Sequence, residues 1–147
     1  MPTYLKEASM AGLILAMVSA ASLVFLGAIF GNNFGSVSVQ IMAGVLMLWA
    51  RWTMGRRSFH ASANPTEGGL VNFGPYRFLR HPIYASILYF VWAGLSSHFS
   101  VINFVFTLTV SLGLLIRMRA EEILMLEKYP GYKAYANKTK RILPFIY

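Results

Sequence analysis

The sequence predicts an all-α integral membrane protein with about four transmembrane helices. The last two form a helical hairpin, and a long polar loop and a C-terminal helix lie on one side of the bilayer. Three observations carry that prediction. Of the 147 residues, 56% are hydrophobic and only 12% are charged. The apolar residues fall in long blocks instead of the short periodic stripes of a water-soluble fold. The 13 Lys and Arg avoid the turns at 31–36 and 96–100 and collect at the other ends of the apolar blocks. A chain of this size makes one compact domain, 1–147, with little left for a separate soluble one.

Residues 8–30 carry no charge and reach about 34 Å as a helix, enough to cross the hydrocarbon core. The run continues through Leu23 to Phe30, which favours a retained span over a leader cleaved near Ser19, Ala20 and Ala21. Ala8, Gly12, Ala16 and Ala20 recur at every fourth position and offer a flat face to another helix. Gly31, Asn32, Asn33 and Gly35 make a polar turn, and a second span covers 36–52, closed by Trp49, Arg51 and Trp52. Residues 53–81 contain Arg56, Arg57, Asn64, Pro65, Gly68, Gly69, Gly74 and Pro75, too many breakers for one helix. They form a long loop, and long loops commonly carry function. Residues 82–116 have no formal charge apart from a protonated His98, and they extend about 52 Å, between one and two crossings. Ser96, Ser97, His98 and Ser100 mark a reversal between short arms at 82–97 and 100–117, the first opening on Pro82 as a first-turn proline. The last helix continues through Leu124 and Leu126 to the break at Tyr129-Pro130-Gly131, and the apolar tail 142–146 folds back on the membrane face.

Charge sets the expected orientation. The base-free turns lie outside, so both termini, the loop 53–81 and the segment 118–147 are cytoplasmic, where loop and segment meet in one site. A prokaryotic inner membrane is preferred over endoplasmic reticulum. The net charge of +8 sits beside apolar spans, where it faces anionic lipid headgroups, and no nucleic-acid-binding motif accompanies it. The lipid bilayer is the expected partner, not nucleic acid. The chain has no cysteine, which removes disulfides, thiol nucleophiles and thiolate metal sites. His60 and His98 fall on opposite sides of the membrane, so neither a metal site with His81 nor any other metal is expected. Met118 and Met125 read as packing residues.

The densest constellation runs from Gly68 to Tyr84, a glycine-containing loop leading into a helix at the membrane surface. Glycines allow close backbone approach, and the amides opening the Pro82 helix carry the positive end of its dipole. His81 is placed to hydrogen-bond a ligand there, and Tyr76 and Tyr84 offer apolar rings with polar tips. Singly, these residues read equally as a helix cap and an interfacial aromatic belt. Arg117 and Glu121 stand four apart at the cytoplasmic end of the last span, an ion pair worth only a few tenths of a kcal/mol for stability. A site role is the more economical reading: Glu121 accepts hydrogen bonds from hydroxyl or ammonium groups, and Arg117 orients a carboxylate.

Arg80-His81-Pro82-Ile83-Tyr84 followed by Arg117-Met118-Arg119-Ala120-Glu121-Glu122 resembles the paired signature of isoprenylcysteine carboxyl methyltransferases and the related phospholipid methyltransferases. The resemblance continues through Tyr132, Tyr135 and Ile142-Leu143-Pro144-Phe145-Ile146 and covers roughly the second half of the chain. It implies S-adenosylmethionine as cofactor, contacted by Gly68, Gly69, Leu70, Val71, Tyr76, His81, Pro82, Ile83, Tyr84 and Glu121. It also implies Arg117 as the residue that positions the acceptor, with Arg80 and Glu122 as secondary candidates. Gly68 stands where the family can carry histidine, and Ala61 stands near the place of an upstream glutamine in the eukaryotic enzymes.

The implied activity is methyl transfer to a lipophilic, membrane-associated acceptor, foremost the carboxylate of an isoprenylcysteine-like substrate. An ionised carboxylate needs no general base, and the motifs supply none. The alternatives are a phospholipid amine or small-molecule S- or N-methyltransferase on the same scaffold and, outside enzymes, a small membrane adaptor or transporter. Sterol reductases resemble the C-terminal region but are considerably longer.

Overall fold

A computed structural model of the chain describes residues 3–55 and 70–143. Among these, five α-helices follow in order: α1 (Thr3–Phe25), α2 (Phe34–Met54), α3 (Pro82–Ser97), α4 (Val101–Lys128) and α5 (Tyr132–Lys138). A 3-10 turn, Gly74–Arg77, precedes α3. Helices α1, α2 and α4 are long and apolar enough to cross a membrane, and α3 is a shorter apolar helix. The protein is an all-α membrane protein, and its surface is that of one. Ile14, Met17 and Val18 on α1, Ile41, Met42, Val45 and Leu48 on α2, and Val105 and Leu112 on α4 all point outward. A monomeric water-soluble protein does not expose apolar faces of that extent.

The end of the first helix differs from the sequence reading. The first helix stops at Phe25, although the apolar run continues to Phe30. Gly27 takes φ +67°, and Ala28 N–H reaches back to Leu23 O while Gly27 N–H reaches Val24 O. That is a Schellman end, which satisfies the last carbonyls and turns the chain whatever its hydropathy. In the hairpin, α3 with 16 residues reaches about 24 Å, and α4 is one unbroken helix of 28 residues and about 42 Å that continues through Leu124 and Leu126 and ends at Lys128, just before Tyr129-Pro130-Gly131. Capping explains where the arms start: Pro82 opens α3, and the Ser100 side chain accepts the Asn103 N–H ahead of α4.

α1 lies along α4 and α2 along α3. The buried seam of α1 is Leu5, Ser9, Gly12, Ala16, Ser19 and Leu23, alternating steps of four and three. Gly12 and Ala16 belong to it, whereas Ala8 and Ala20 sit at its edges, because a strict fourfold step drifts by about 40° each time around the helix. At the crossing, a Cβ on Gly12 would stand 2.6 Å from Gly113 O, and one on Gly113 would stand 2.5 Å from Gly12 O. Only glycine lets the two backbones approach so closely. Below the crossing the core closes around Leu23, Leu88, Val91, Val110, Leu114 and Met118.

The two base-free turns are knitted together at one end of the bundle. Asn33 caps α2 through a capping box with Ser36 and donates Nδ2–H to Ser97 Oγ at 2.9 Å. Ser97 Oγ in turn donates to Ser36 Oγ at 2.7 Å. Gln40 accepts from Gly31 N–H at 2.9 Å and donates to Ile29 O at 2.7 Å and Phe90 O at 3.1 Å, tying three elements together. The basic segments occupy the opposite end, where the sequence motifs meet.

Candidate active site

The backbone first brings the Arg80-His81-Pro82 segment to the C-terminal segment. Leu79 and Lys140 form an isolated parallel bridge. Arg80 N–H donates to Lys140 O at 2.6 Å, His81 N–H to Arg141 O at 3.1 Å, and Lys140 N–H to Phe78 O at 3.0 Å. The chain then enters α3 with His81 at the N-cap, but its imidazole makes no capping bond. The ring instead turns toward α4, stacked on Tyr84 at 5.7 Å between centroids.

On α4, Arg117, Glu121 and Glu122 face this entry. Arg117 Nε pairs with Glu121 Oε1 at 3.1 Å, and Tyr84 joins both. Its hydroxyl accepts from Arg117 Nε at 2.6 Å and donates to Glu121 Oε1 at 2.6 Å. Arg117 Nη1 also donates to Ser9 Oγ on α1 at 3.3 Å. His81 Nδ1 lies 3.9 Å from Glu121 Oε2, and His81 Nε2 lies 3.3 Å from Glu122 Oε1.

The two adjacent glutamates have different partners. Glu122 is saturated: Arg80 Nε reaches Oε1 at 3.0 Å, and Arg141 embraces the carboxylate with Nε at 3.0 Å from Oε1 and Nη2 at 2.9 Å from Oε2. Arg80 further donates to Ala136 O and, at 2.8 Å, to Thr139 O, closing the end of α5. Glu121 has both strong contacts on Oε1, while its Oε2 lies 3.9 Å from the His81 ring. Its side chain is 21% exposed, against 11% for Glu122, 8% for His81 and 5% for Arg117. Glu121 is thus the carboxylate of the pair that a ligand can reach.

Arg80, His81, Tyr84, Arg117, Glu121 and Glu122 therefore form one continuous network. Pro82 is fully buried as the first residue of α3, and Ile83 beside it is half-buried, its carbonyl accepting from Ser86 Oγ at 2.7 Å. Leu70 and Val71 are half-buried in extended chain leading to the 3-10 turn. Tyr76 is buried in that turn, where its carbonyl accepts the Tyr135 hydroxyl at 2.7 Å and its own hydroxyl points to Met54 Sδ at 3.6 Å. Burial, with the charges of Tyr135 and Glu121 added, pushes the Tyr76 phenol well above its ordinary range. Burial likewise pushes Tyr135 up to about 12. Both rings present neutral hydroxyls at neutral pH. Gly68, Gly69, His60, Ala61 and residues 144–146 lie outside the described residues.

Residues 36–127 match the model of the isoprenylcysteine carboxyl methyltransferase family. The chain belongs to that family. It is a membrane methyltransferase of the isoprenylcysteine carboxyl methyltransferase kind. No curated protein sequence matches it. The matched stretch includes every member of the network named from sequence, but it excludes Ser9 and Arg141, two partners that sequence reasoning misses. Ser9 leaves a faint signal, as one of two serines, with Ser19, on the buried seam of α1. Arg141 leaves none, being one base among several in the tail.

Proposed function

We propose that this methyltransferase uses S-adenosylmethionine and delivers the methyl group to a lipophilic acceptor entering from the bilayer, foremost the carboxylate of an isoprenylcysteine-like substrate. The observation that carries the reading is the convergence of His81 and Tyr84, from the entry to α3, on Arg117 and Glu121 of α4. The donor set fits the cofactor. The His81 ring lies between the two carboxylates, with Nε2 at 3.3 Å from Glu122 Oε1 and Nδ1 at 3.9 Å from Glu121 Oε2. The second distance is longer than a hydrogen bond, so Glu121 Oε2 has acceptor capacity to spare. A ligand bringing hydroxyl or ammonium donors, as the ribose and amino-acid ends of S-adenosylmethionine do, fills it. Leu70, Val71, Tyr76, Pro82 and Ile83, with Gly68 and Gly69, supply the remaining cofactor wall in this reading. Arg80 and Glu122 brace it.

When bound, the cofactor would supply an electrophilic methyl carbon on a sulfonium, and a carboxylate acceptor would take it as a methyl ester, with S-adenosylhomocysteine as the other product. No proton moves, so the protein's part is to orient the acceptor and exclude water. Arg117 performs the first task, because its guanidinium holds a carboxylate in a fixed plane. Its present partners, Glu121 and Tyr84, hold it ready at the foot of α4. We place the basic end of the bundle, and with it both termini, in the cytoplasm, and assign the whole chain to one domain in a prokaryotic inner membrane.

Calorimetry with S-adenosylhomocysteine in detergent tests the reading. The wild type binds; Glu121→Ala and His81→Ala lose binding; Arg117→Ala keeps binding but no longer forms a base-labile methyl ester. Undiminished binding in both of the first two variants overturns the site. A base-stable methyl product replaces the carboxylate acceptor with an amine or thiol.

A further inference from the structure

Outside the family match, Arg141 accepts the His81 N–H and grips the glutamate that meets the His81 ring. We propose that Arg141 is a positioning residue for the transferase site: by pinning Glu122 it sets the His81 imidazole so that Nδ1 faces Glu121. The inference rests on the cofactor reading given above.

The Arg141 carbonyl accepts the His81 N–H at 3.1 Å, which fixes the backbone at the N-cap of α3. The side chain acts through Glu122. Its fork occupies Oε2 through Nη2 at 2.9 Å and shares Oε1 through Nε at 3.0 Å. The fork turns Oε2 toward Arg141 and Oε1, which also takes Arg80 Nε at 3.0 Å, toward His81 Nε2 at 3.3 Å. Charge balance alone does not require this arrangement. Arg80 already neutralises Glu122 through a contact at 3.0 Å, and a second guanidinium adds desolvation along with its hydrogen bonds. What the fork adds is a plane: a bidentate pair fixes the rotation of the carboxylate, which a single contact leaves free. The rotation of Glu122 decides which edge of the imidazole is held, and therefore which edge is turned to Glu121. Arg141, Glu122 and His81 are 18%, 11% and 8% exposed, so little water competes for these bonds.

Two measurements test the proposal on the full-length protein in detergent. In the first, Arg141→Ala and Arg141→Lys are titrated with S-adenosylhomocysteine. Loss of one bidentate charged contact lowers affinity about tenfold in the alanine variant. Added guanidinium chloride at low concentration restores part of that loss, and sodium chloride at equal ionic strength does not. The lysine variant stays below wild type because one ammonium cannot span both oxygens. Wild-type affinity in either folded variant overturns the proposal, and so does a loss that guanidinium leaves untouched. If the alanine variant fails to fold, the lysine variant decides.

The second measurement uses 15N-labelled histidine, with His81 assigned by its own substitution. In the wild type the His81 ring nitrogens give one set of 15N shifts, set by Glu122 at Nε2, and Arg141→Ala moves the Nε2 resonance. An unchanged spectrum overturns the proposal. This arm needs no ligand, so it stands even if the wild type binds no S-adenosyl compound, an outcome that removes the cofactor reading alone. Conversely, a wild type that binds, a Glu121→Ala variant that does not, and an Arg141→Ala variant that binds normally remove only the positioning role.

Discussion

Tyr84→Phe deletes one oxygen atom and leaves the ring, its stack on His81 and the α3 helix in place. That oxygen holds two charged partners, accepting from Arg117 and donating to Glu121, each at 2.6 Å. Hydrogen bonds to charged groups contribute about 1.5–3 kcal/mol each, and the low end applies here because Glu121 is partly open to solvent. The two bonds together come to about 3 kcal/mol, of which the surviving Arg117–Glu121 pair at 3.1 Å retains about a third, so about 2 kcal/mol is lost. In the bound state proposed above, Glu121 has Oε1 engaged and Oε2 presented, so that loss is expected to fall mainly on binding. A deficit of about 2 kcal/mol corresponds to about thirtyfold weaker affinity for S-adenosylhomocysteine. Isothermal calorimetry of the two proteins in the same detergent measures it, with thermal unfolding recorded alongside. Affinity equal to wild type refutes the reasoning. So does an affinity loss matched by a collapse in melting temperature.

The helix crossing gives a test of the fold. Gly113→Ala places a methyl 2.5 Å from Gly12 O and 3.1 Å from Ala16 N, so α1 and α4 must separate, at about 1–3 kcal/mol. Gly44→Ala, whose Cβ meets nothing within 4 Å, is the control. Melting curves show a lower midpoint for the first variant and none for the second, whereas equal midpoints refute the close crossing. Orientation is equally accessible, because no native thiol competes for a label. Asn33→Cys and Lys133→Cys react with a membrane-impermeant maleimide from opposite sides, the second from the cytoplasm. Labelling of both from one side refutes the assigned orientation.

Much of this architecture is legible in the sequence where the signal is local. Pro82 announces the start of α3, the serines around His98 announce the reversal, and a four-residue spacing announces the Arg117–Glu121 pair. Hydropathy misplaces the end of α1 because residues 26–30 are as apolar as the helix before them. Backbone geometry at Gly27, not transfer energy, turns the chain. The fourfold pattern of small residues locates the packing face of α1 but not its seam, since seam positions follow the period of two helices wound together. The different environments of Glu121 and Glu122 leave no trace in two identical neighbouring letters. They depend on Tyr84, Arg80 and Arg141, which only tertiary structure brings within reach.

The unbroken course of α4 has a mechanical consequence. It crosses α1 at Gly113 without room to slide, and no kink separates that crossing from the end that bears Glu121 and Glu122. Beyond the crossing α1 stays with α4, through Ser9 on Arg117 and Leu5 on Leu124. The two helices are therefore one stiff body. Glu121, about 12 Å along the axis from the crossing, would move by about 2 Å against Tyr84 and His81 of α3 if that body tilted as a whole by about 10°.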